Sequence, residues 1–200
     1  MKVPINWLKE YVDITIPLDE LARKLTMAGF EVSDIITIGG WKNVIVAQVK
    51  AINPHPNADK LRLPTLDIGG EEITVVCGAP NLALGDKVVF AKVGAVMTDA
   101  HTGKTETLKA ARIRGVESCG MVCSERELGL SDAHEGIMVL PADAPVGMAL
   151  DEYMGDVVFD FELTPNRADC LSVIGIARET AALTGQTVHL PDTSYEEKGE

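Results

Sequence analysis

The sequence predicts an α+β protein: a small β-barrel inserted into a split α/β domain with three main helices. Three observations lead there. Helical periodicity is confined to the first forty and the last fifty residues. Between them runs a series of short β-rich segments punctuated by turn residues. The two outer segments are each too short to bury a core alone, so they are expected to fold together around the inserted barrel. With 200 residues, 46% of them hydrophobic, the chain suffices for two small domains.

In the first segment Ile5, Leu8 and Val12 share one helical face, with Tyr11 beside them, and Lys9, Glu10 and Asp13 take the other. Leu18, Leu21, Ala22, Leu25 and Ala28 repeat at the spacing of a second helix, which Pro17 can start and Gly29 can end. Residues 31–38 read as a strand and Gly39-Gly40 as a boundary. β-rich runs follow at 44–52, 63–68, 73–77, 87–93, 108–113, 120–123 and 137–140. Turns separate them at Pro54-His55-Pro56-Asn57, Gly69-Gly70, Gly78-Ala79-Pro80-Asn81, Gly85-Asp86 and Gly103. A segment of about 110 residues with this punctuation suits an OB-fold barrel carrying extra strands. Residues 157–163 read as a strand, and 164–169 as a loop into a third helix, capped by Asp169 and stopped by Gly185. The expected domains are therefore 1–39 plus 151–190, and 40–150. Residues 191–200 are polar and charged and read as a linker, so the chain is expected to be part of a longer one.

The net charge of −12 argues against a general nucleic-acid binder. Its distribution is uneven: −2 over residues 1–39, −2 over 40–150 and −8 over 151–200, which leaves the middle free to present a local basic face. No run of apolar residues is long enough to span a membrane, and the start lacks the apolar stretch of a signal peptide, so a cytoplasmic protein is expected. Cys77, Cys119, Cys123 and Cys170 lack zinc-ligand spacing and read as reduced, buried small hydrophobes. His55, His101, His134 and His189 are scattered. No phosphate-cradling glycine loop or nucleophile motif occurs, so no catalytic residue and no metal site are assigned.

His55-Pro56-Asn57-Ala58-Asp59-Lys60-Leu61 resembles the opening motif of the tRNA-binding OB domains of several aminoacyl-tRNA synthetases and free-standing tRNA-binding cofactors. Val75-Val76-Cys77-Gly78-Ala79-Pro80-Asn81 resembles the third strand and turn of that family. Ala111-Arg112-Ile113-Arg114-Gly115-Val116-Glu117-Ser118-Cys119-Gly120-Met121 resembles its R-G-V-x-S-x-G-M segment, and Glu135-Gly136-Ile137-Met138-Val139-Leu140-Pro141 its closing strand. Four ordered blocks make a specific signal. The flanks Leu25-Thr26-Met27-Ala28-Gly29-Phe30-Glu31-Val32 and Asp160-Phe161-Glu162-Leu163-Thr164-Pro165-Asn166-Arg167-Ala168-Asp169-Cys170-Leu171-Ser172 are similar to bacterial phenylalanyl-tRNA synthetase β subunits.

The resemblance implies a tRNA-binding OB-fold in a non-catalytic N-terminal region. It implies tRNA as a partner, which the scarcity of aromatics in the middle segment makes a weak, backbone-directed one, and a catalytic α subunit in an α₂β₂ assembly. ATP and Mg²⁺ are implied for the whole enzyme, none for this region, and neither DNA nor membrane is a partner. Editing is expected on β-subunit domains beyond Glu200. A free-standing tRNA-binding protein and a pure interaction scaffold are the alternatives.

The first block reads foremost as a stiffened barrel corner, with Asp59 serving nearby backbone amides, and its candidate contacts to phosphate or sugar are Asn57 and Lys60. Lys104, Lys109, Arg112 and Arg114 form the densest basic stretch; on a single strand Arg112 and Arg114 would share a face, with Ile113 turned to the core. Trp41 and Phe90 offer little for base stacking. Asn166, Arg167 and Asp169 read as structural, with Arg167 neutralising nearby acids.

Overall fold

A computed structural model describes residues 1–98 and 104–195. Gly103, His101 and residues 196–200 of the expected linker lie outside the described residues. The chain opens with β1 (Lys2–Pro4), a single-turn helix α1 (Ile5–Leu8), α2 (Leu18–Met27) and β2 (Glu31–Ile38). α1 is shorter than the periodicity suggested. Val12, expected on its face, is buried instead through an antiparallel bridge to Val188. α2 follows its pattern: Leu21, Ala22 and Leu25 are buried, and Asp19 and Glu20 lie in the first turn, where the helix dipole favours acids. Its end is a Schellman turn. Gly29, at φ +95°, donates to the Thr26 carbonyl and Phe30 to that of Leu25.

The middle segment holds β3 (Val44–Pro54), β4 (Arg62–Asp67), β5 (Glu72–Thr74), β6 (Lys87–Lys92), β7 (Val96–Thr98), β8 (Thr105–Thr107), β9 (Ala111–Ile113), β10 (Val116–Ser118), β11 (Gly120–Val122), β12 (Val139–Leu140) and a short helix α3 (Leu150–Met154). The strands pair antiparallel, in the order β11-β6-β3-β4-β5 with β12 also on β6. β3 is the spine. Its first half pairs with β6 and its second half with β4, and a register shift between Val49 and Ala51 bends it between the two partners. The sheet therefore curls into a half-barrel. Both faces of β3 and β6 are covered. Val44, Val46, Val89 and Ala91 pack with Trp41, Cys123 and Leu150, while Ile45, Ala47, Val49, Val88 and Phe90 pack with Leu66, Val75 and Leu82. That is why these strands read as continuous apolar runs rather than alternating ones. Gly120 lets β11 lie against β6: a Cβ there would meet the Phe90 ring at 2.3 Å.

The last segment forms β13 (Asp156–Glu162), a 3-10 turn (Pro165–Cys170) and α4 (Val173–Thr184). β13 is the centre of a three-stranded sheet, β1-β13-β2, in which Asp156 pairs with Ile38. One core unites this segment with the first, joining Val3, Leu8, Leu25 and Phe30 to Phe159, Phe161 and Ile176. The chain thus forms two compact units, Met1–Ile38 with the residues from Asp156 onward, and Gly39–Gly155. Residues 151–155, expected with the outer segments, lie in the second unit. Leu150 packs with Trp41 and Val44, and the Asp151 carboxylate accepts the Trp41 amide at 3.0 Å. Asp169 is not the cap of α4. Ser172 is, its Oγ accepting the Gly175 amide at 3.1 Å. Among the described residues no helix is long and apolar enough to cross a membrane.

Because Ile38 and Asp156 are register partners, a short Asn-Gly turn can join them without displacing either strand. A chain of residues 1–38, that turn and residues 156–200 is expected to unfold cooperatively in urea with near-ultraviolet circular dichroism intact. A protease-sensitive product lacking a cooperative transition would show that the first unit depends on residues 39–155.

Candidate nucleic-acid interface

β3 ends at Pro54, and residues 55–61 form a closed loop. The His55 amide donates to the Leu61 carbonyl and the Leu61 amide to that of Ala58, both at 3.2 Å. The His55 ring is buried within it. Its Nδ1 accepts the Asn57 backbone amide at 3.1 Å, so Nε2 carries the proton and donates to the Ile113 carbonyl at 3.2 Å. The Asn57 side chain donates to the Arg114 carbonyl at 2.9 Å. Asp59, expected to serve the loop's amides, is exposed. His55 and the Ala58 carbonyl take the amides of residues 57 and 61 instead.

Ile113 and Arg114 are the tip of a separate two-stranded ribbon, β9–β10. The register places Ile113 opposite Val116, which leaves Arg114-Gly115 as a two-residue turn. Both have positive φ, +50° and +94°, as hairpin turns of type I′ require. Arg114 is therefore in a turn and not on β9, and the shared strand face expected for Arg112 and Arg114 does not exist. Ile113 does not turn to the core either: it is 36% exposed, and residues 109–115 are exposed throughout. A left-handed conformation costs a non-glycine residue about 1 kcal/mol. The bond from Asn57 to the Arg114 carbonyl, and one from Arg112 Nε to the Gly115 carbonyl at 3.2 Å, hold the tip in place. An isolated two-stranded ribbon is marginal in water. This one is anchored at its base by Ser118, buried, whose Oγ accepts the Val76 amide at 3.1 Å and donates to the Gly120 carbonyl at 3.0 Å.

The structure thus brings Asn57, Arg112 and Arg114 to one ribbon tip, with exposed Lys60 in the Asn57 loop. It spreads the other two cations out. Lys104 precedes β8 and Lys109 follows it, and β8 pairs with β7, not β9. Glu117 stands opposite Arg112 in the ribbon register, and a shallow cleft runs along Ala110, Ala111, Arg112, Gly115 and Glu117. Neither Trp41 nor Phe90 offers a stacking face; both are buried. An exposed ribbon carrying guanidinium groups can neutralise phosphate, and it has no aromatic platform for bases.

A second constellation lies in the first unit. Ligand atoms of Asp169, Cys170 and Glu179 fall within 4.8 Å of one another, a spacing compatible with a metal ion. The place is taken by the Arg167 guanidinium. Its Nη2 donates to Asp169 at 2.8 Å and Glu179 at 2.6 Å, lies 3.4 Å from the Cys170 sulfur, and the group stacks on Phe30 at 4.4 Å. A cation already supplied by the chain makes these residues a poor fit for a metal. Hydrogen bonds from Arg167 hold the Asp169 carboxyl down at about 2, and burial pushes the Cys170 thiol up to about 11. Burial also raises Cys77 and Cys123, so these three thiols are protonated and inert at neutral pH.

Residues 44–149 match the family model described as "Putative tRNA binding domain". The chain is 55% identical over its whole length to the "Phenylalanine--tRNA ligase beta subunit" of Dehalococcoides mccartyi (strain CBDB1). It is 49% identical over 203 aligned residues to that of Geobacter sulfurreducens. It spans about a quarter of the length of these curated relatives. Among solved structures it is similar to a MetRS related protein from Pyrococcus horikoshii, at 22% identity and a TM-score of 0.38, over 68% of this chain and 96% of that one.

The Arg167 cluster gives a signed pH dependence. Asp169 ionises more readily folded than unfolded, so its contribution to stability is complete above about pH 4 and is lost as pH falls through about 2. Carbon-detected NMR of the Asp169 carboxyl is expected to show a midpoint near 2, moving up into the ordinary carboxylate range in Arg167→Met. An ordinary midpoint in the parent chain would contradict the Arg167 assignment.

Proposed function

The chain belongs to the tRNA binding domain family, and on that premise we propose that it is the non-catalytic tRNA-positioning region of a phenylalanine–tRNA ligase β subunit. The observation that carries this reading is the exposed cationic ribbon tip, built from the Asn57 loop and the Arg112–Arg114 segment, within residues 44–149. Similarity to the β subunits over the entire chain, first unit included, favours this role over a free-standing tRNA-binding protein. Within the second unit the fold is read as an OB barrel inserted between the halves of the first.

In this reading the contact is with the phosphate backbone through Arg112 and Arg114, with Lys60, Lys104 and Lys109 contributing charge and Asn57 close by. ATP and Mg²⁺ serve the adenylation chemistry of the whole ligase, carried by an α subunit in an α₂β₂ assembly in the cytoplasm. Editing belongs to other parts of the β subunit. The net charge of −12 supports one competing reading, a scaffold that touches protein alone.

Few phosphate contacts, and no stacking face on Trp41 or Phe90, give an expected dissociation constant no tighter than about 10⁻⁵ M at physiological salt. In a filter-binding salt titration of the chain with tRNA transcripts, the Arg112→Ala, Arg114→Ala double variant is expected to weaken binding to every tRNA alike. It should flatten the salt slope by about two contacts. Selective loss for one tRNA would reveal base readout. An unaltered slope and affinity would favour the scaffold.

A further inference from the structure

We propose that His55 and Asn57 are positioning residues: they latch the β9–β10 ribbon so that Arg114 is presented to phosphate from a backbone held in one conformation. The proposal rests on the reading of the ribbon as the RNA contact, and it assigns these two residues a role exercised through Arg114.

Three hydrogen bonds make the latch, and they form a connected set. The His55 ring joins the loop to itself through Nδ1 and to the ribbon through Nε2. Asn57, whose backbone amide is held by that ring, reaches the Arg114 carbonyl with its side chain. The two acceptors, the carbonyls of Ile113 and Arg114, are the last of β9 and the first of the turn. The latch therefore grips the ribbon where its backbone adopts the left-handed conformation that a non-glycine residue disfavours. Pro54 and Pro56 flank His55 and stiffen the gripping loop. Gly115 completes the turn through its φ of +94°, and it lies beside the Asn57 side-chain nitrogen, where a Cβ would be in ordinary contact at 3.4 Å. A guanidinium on a rigid turn loses less conformational freedom on meeting a phosphate than one on a free ribbon.

The direct alternative has Asn57 touching RNA itself. Asn57 is neutral, so the salt slope does not separate the two; coupling and dynamics do. The chain is compared with Asn57→Ala, Arg114→Ala and the double variant, by equilibrium binding to one tRNA transcript and by amide hydrogen exchange without RNA. Asn57→Ala is expected to weaken binding roughly three- to tenfold, the scale of one hydrogen bond. It should have no further effect in the Arg114→Ala background. It should also speed exchange at residues 114–116 in the RNA-free protein. His55→Gln, whose side-chain amide can replace the Nε2 donor, should retain more affinity than His55→Ala. Additive losses with unchanged ribbon exchange would overturn the proposal and assign Asn57 to the RNA. Full affinity in Arg114→Ala would overturn the ribbon as the contact and the proposal with it, even where exchange shows that the latch exists.

Discussion

The antiparallel pairing of Ile38 with Asp156 is the constraint on which the arrangement of this chain depends. It brings together residues separated by the whole second unit, and closing so long a loop carries an entropic cost that grows only slowly with its length. The second unit meets the same requirement from its own side. Its ends are held by the Ile45–Ala149 bridge, by the Val46 amide on the Met148 carbonyl, and by Asp151 on the Trp41 amide. Gly39, at φ +139°, has a backbone conformation that residues with a Cβ rarely adopt, and it lies against the Asp151 carboxylate, 2.9 Å from where a Cβ would sit. Each unit closes its own termini, and that makes a split domain physically tolerable.

Within the second unit the same logic recurs on a smaller scale. The β9–β10 ribbon contributes little buried apolar surface, so its pose is set by polar contacts at both ends: Ser118 at the base, His55 and Asn57 at the tip. Polar pins of this kind are directional. They fix where a side chain is presented more tightly than apolar contact does, at the expense of sensitivity to loss of a single donor. The first unit uses the opposite device. There Arg167 draws Asp169, Cys170, Glu179 and Phe30 around one guanidinium, and charge serves packing instead of display.

What the sequence made legible follows from where side chains alone decide the structure. α2 and α4 were readable because their apolar spacing and their glycine stops at Gly29 and Gly185 act locally. β3 and β6 were readable because burial on both faces leaves an unbroken apolar run. The cationic stretch was visible, but its geometry was not. Arg114-Gly115 is not the Asn-Gly or Asp-Gly pair that announces a hairpin, so strand alternation was carried through a turn. β7, β8 and β10 were missed because strands of three residues, with one buried residue each in β7 and β10 and none in β8, give no periodicity to read. The cap of α4 was misplaced by three residues because Asp169 and Ser172 are both good caps, and only the competing claim of Arg167 on Asp169 decides between them. His55 as a link between loop and ribbon had one local signal, its position two residues before Asn57. Its partner Ile113 is far along the chain, where no local rule reaches.

The charge balance of the chain then takes on a specific meaning. A net charge of −12 would repel a polyanion if every acid acted at every distance, but at physiological ionic strength a charge is screened over roughly 8 Å. What an approaching phosphate feels is set by the groups within that range of the ribbon tip. On the ribbon Arg112 and Arg114 face one acid, Glu117, which stands opposite Arg112 and not opposite the turn, and the Asn57 loop adds exposed Asp59 and Lys60, one charge of each sign. Arg114 is thus the cation least offset by its own ribbon. It is also the residue whose backbone is held from outside, by a side chain that carries no charge of its own. On the proposed reading, ribbon charge and a held backbone coincide at Arg114, and screening leaves the field there to its neighbours while the rest of the molecule stays acidic.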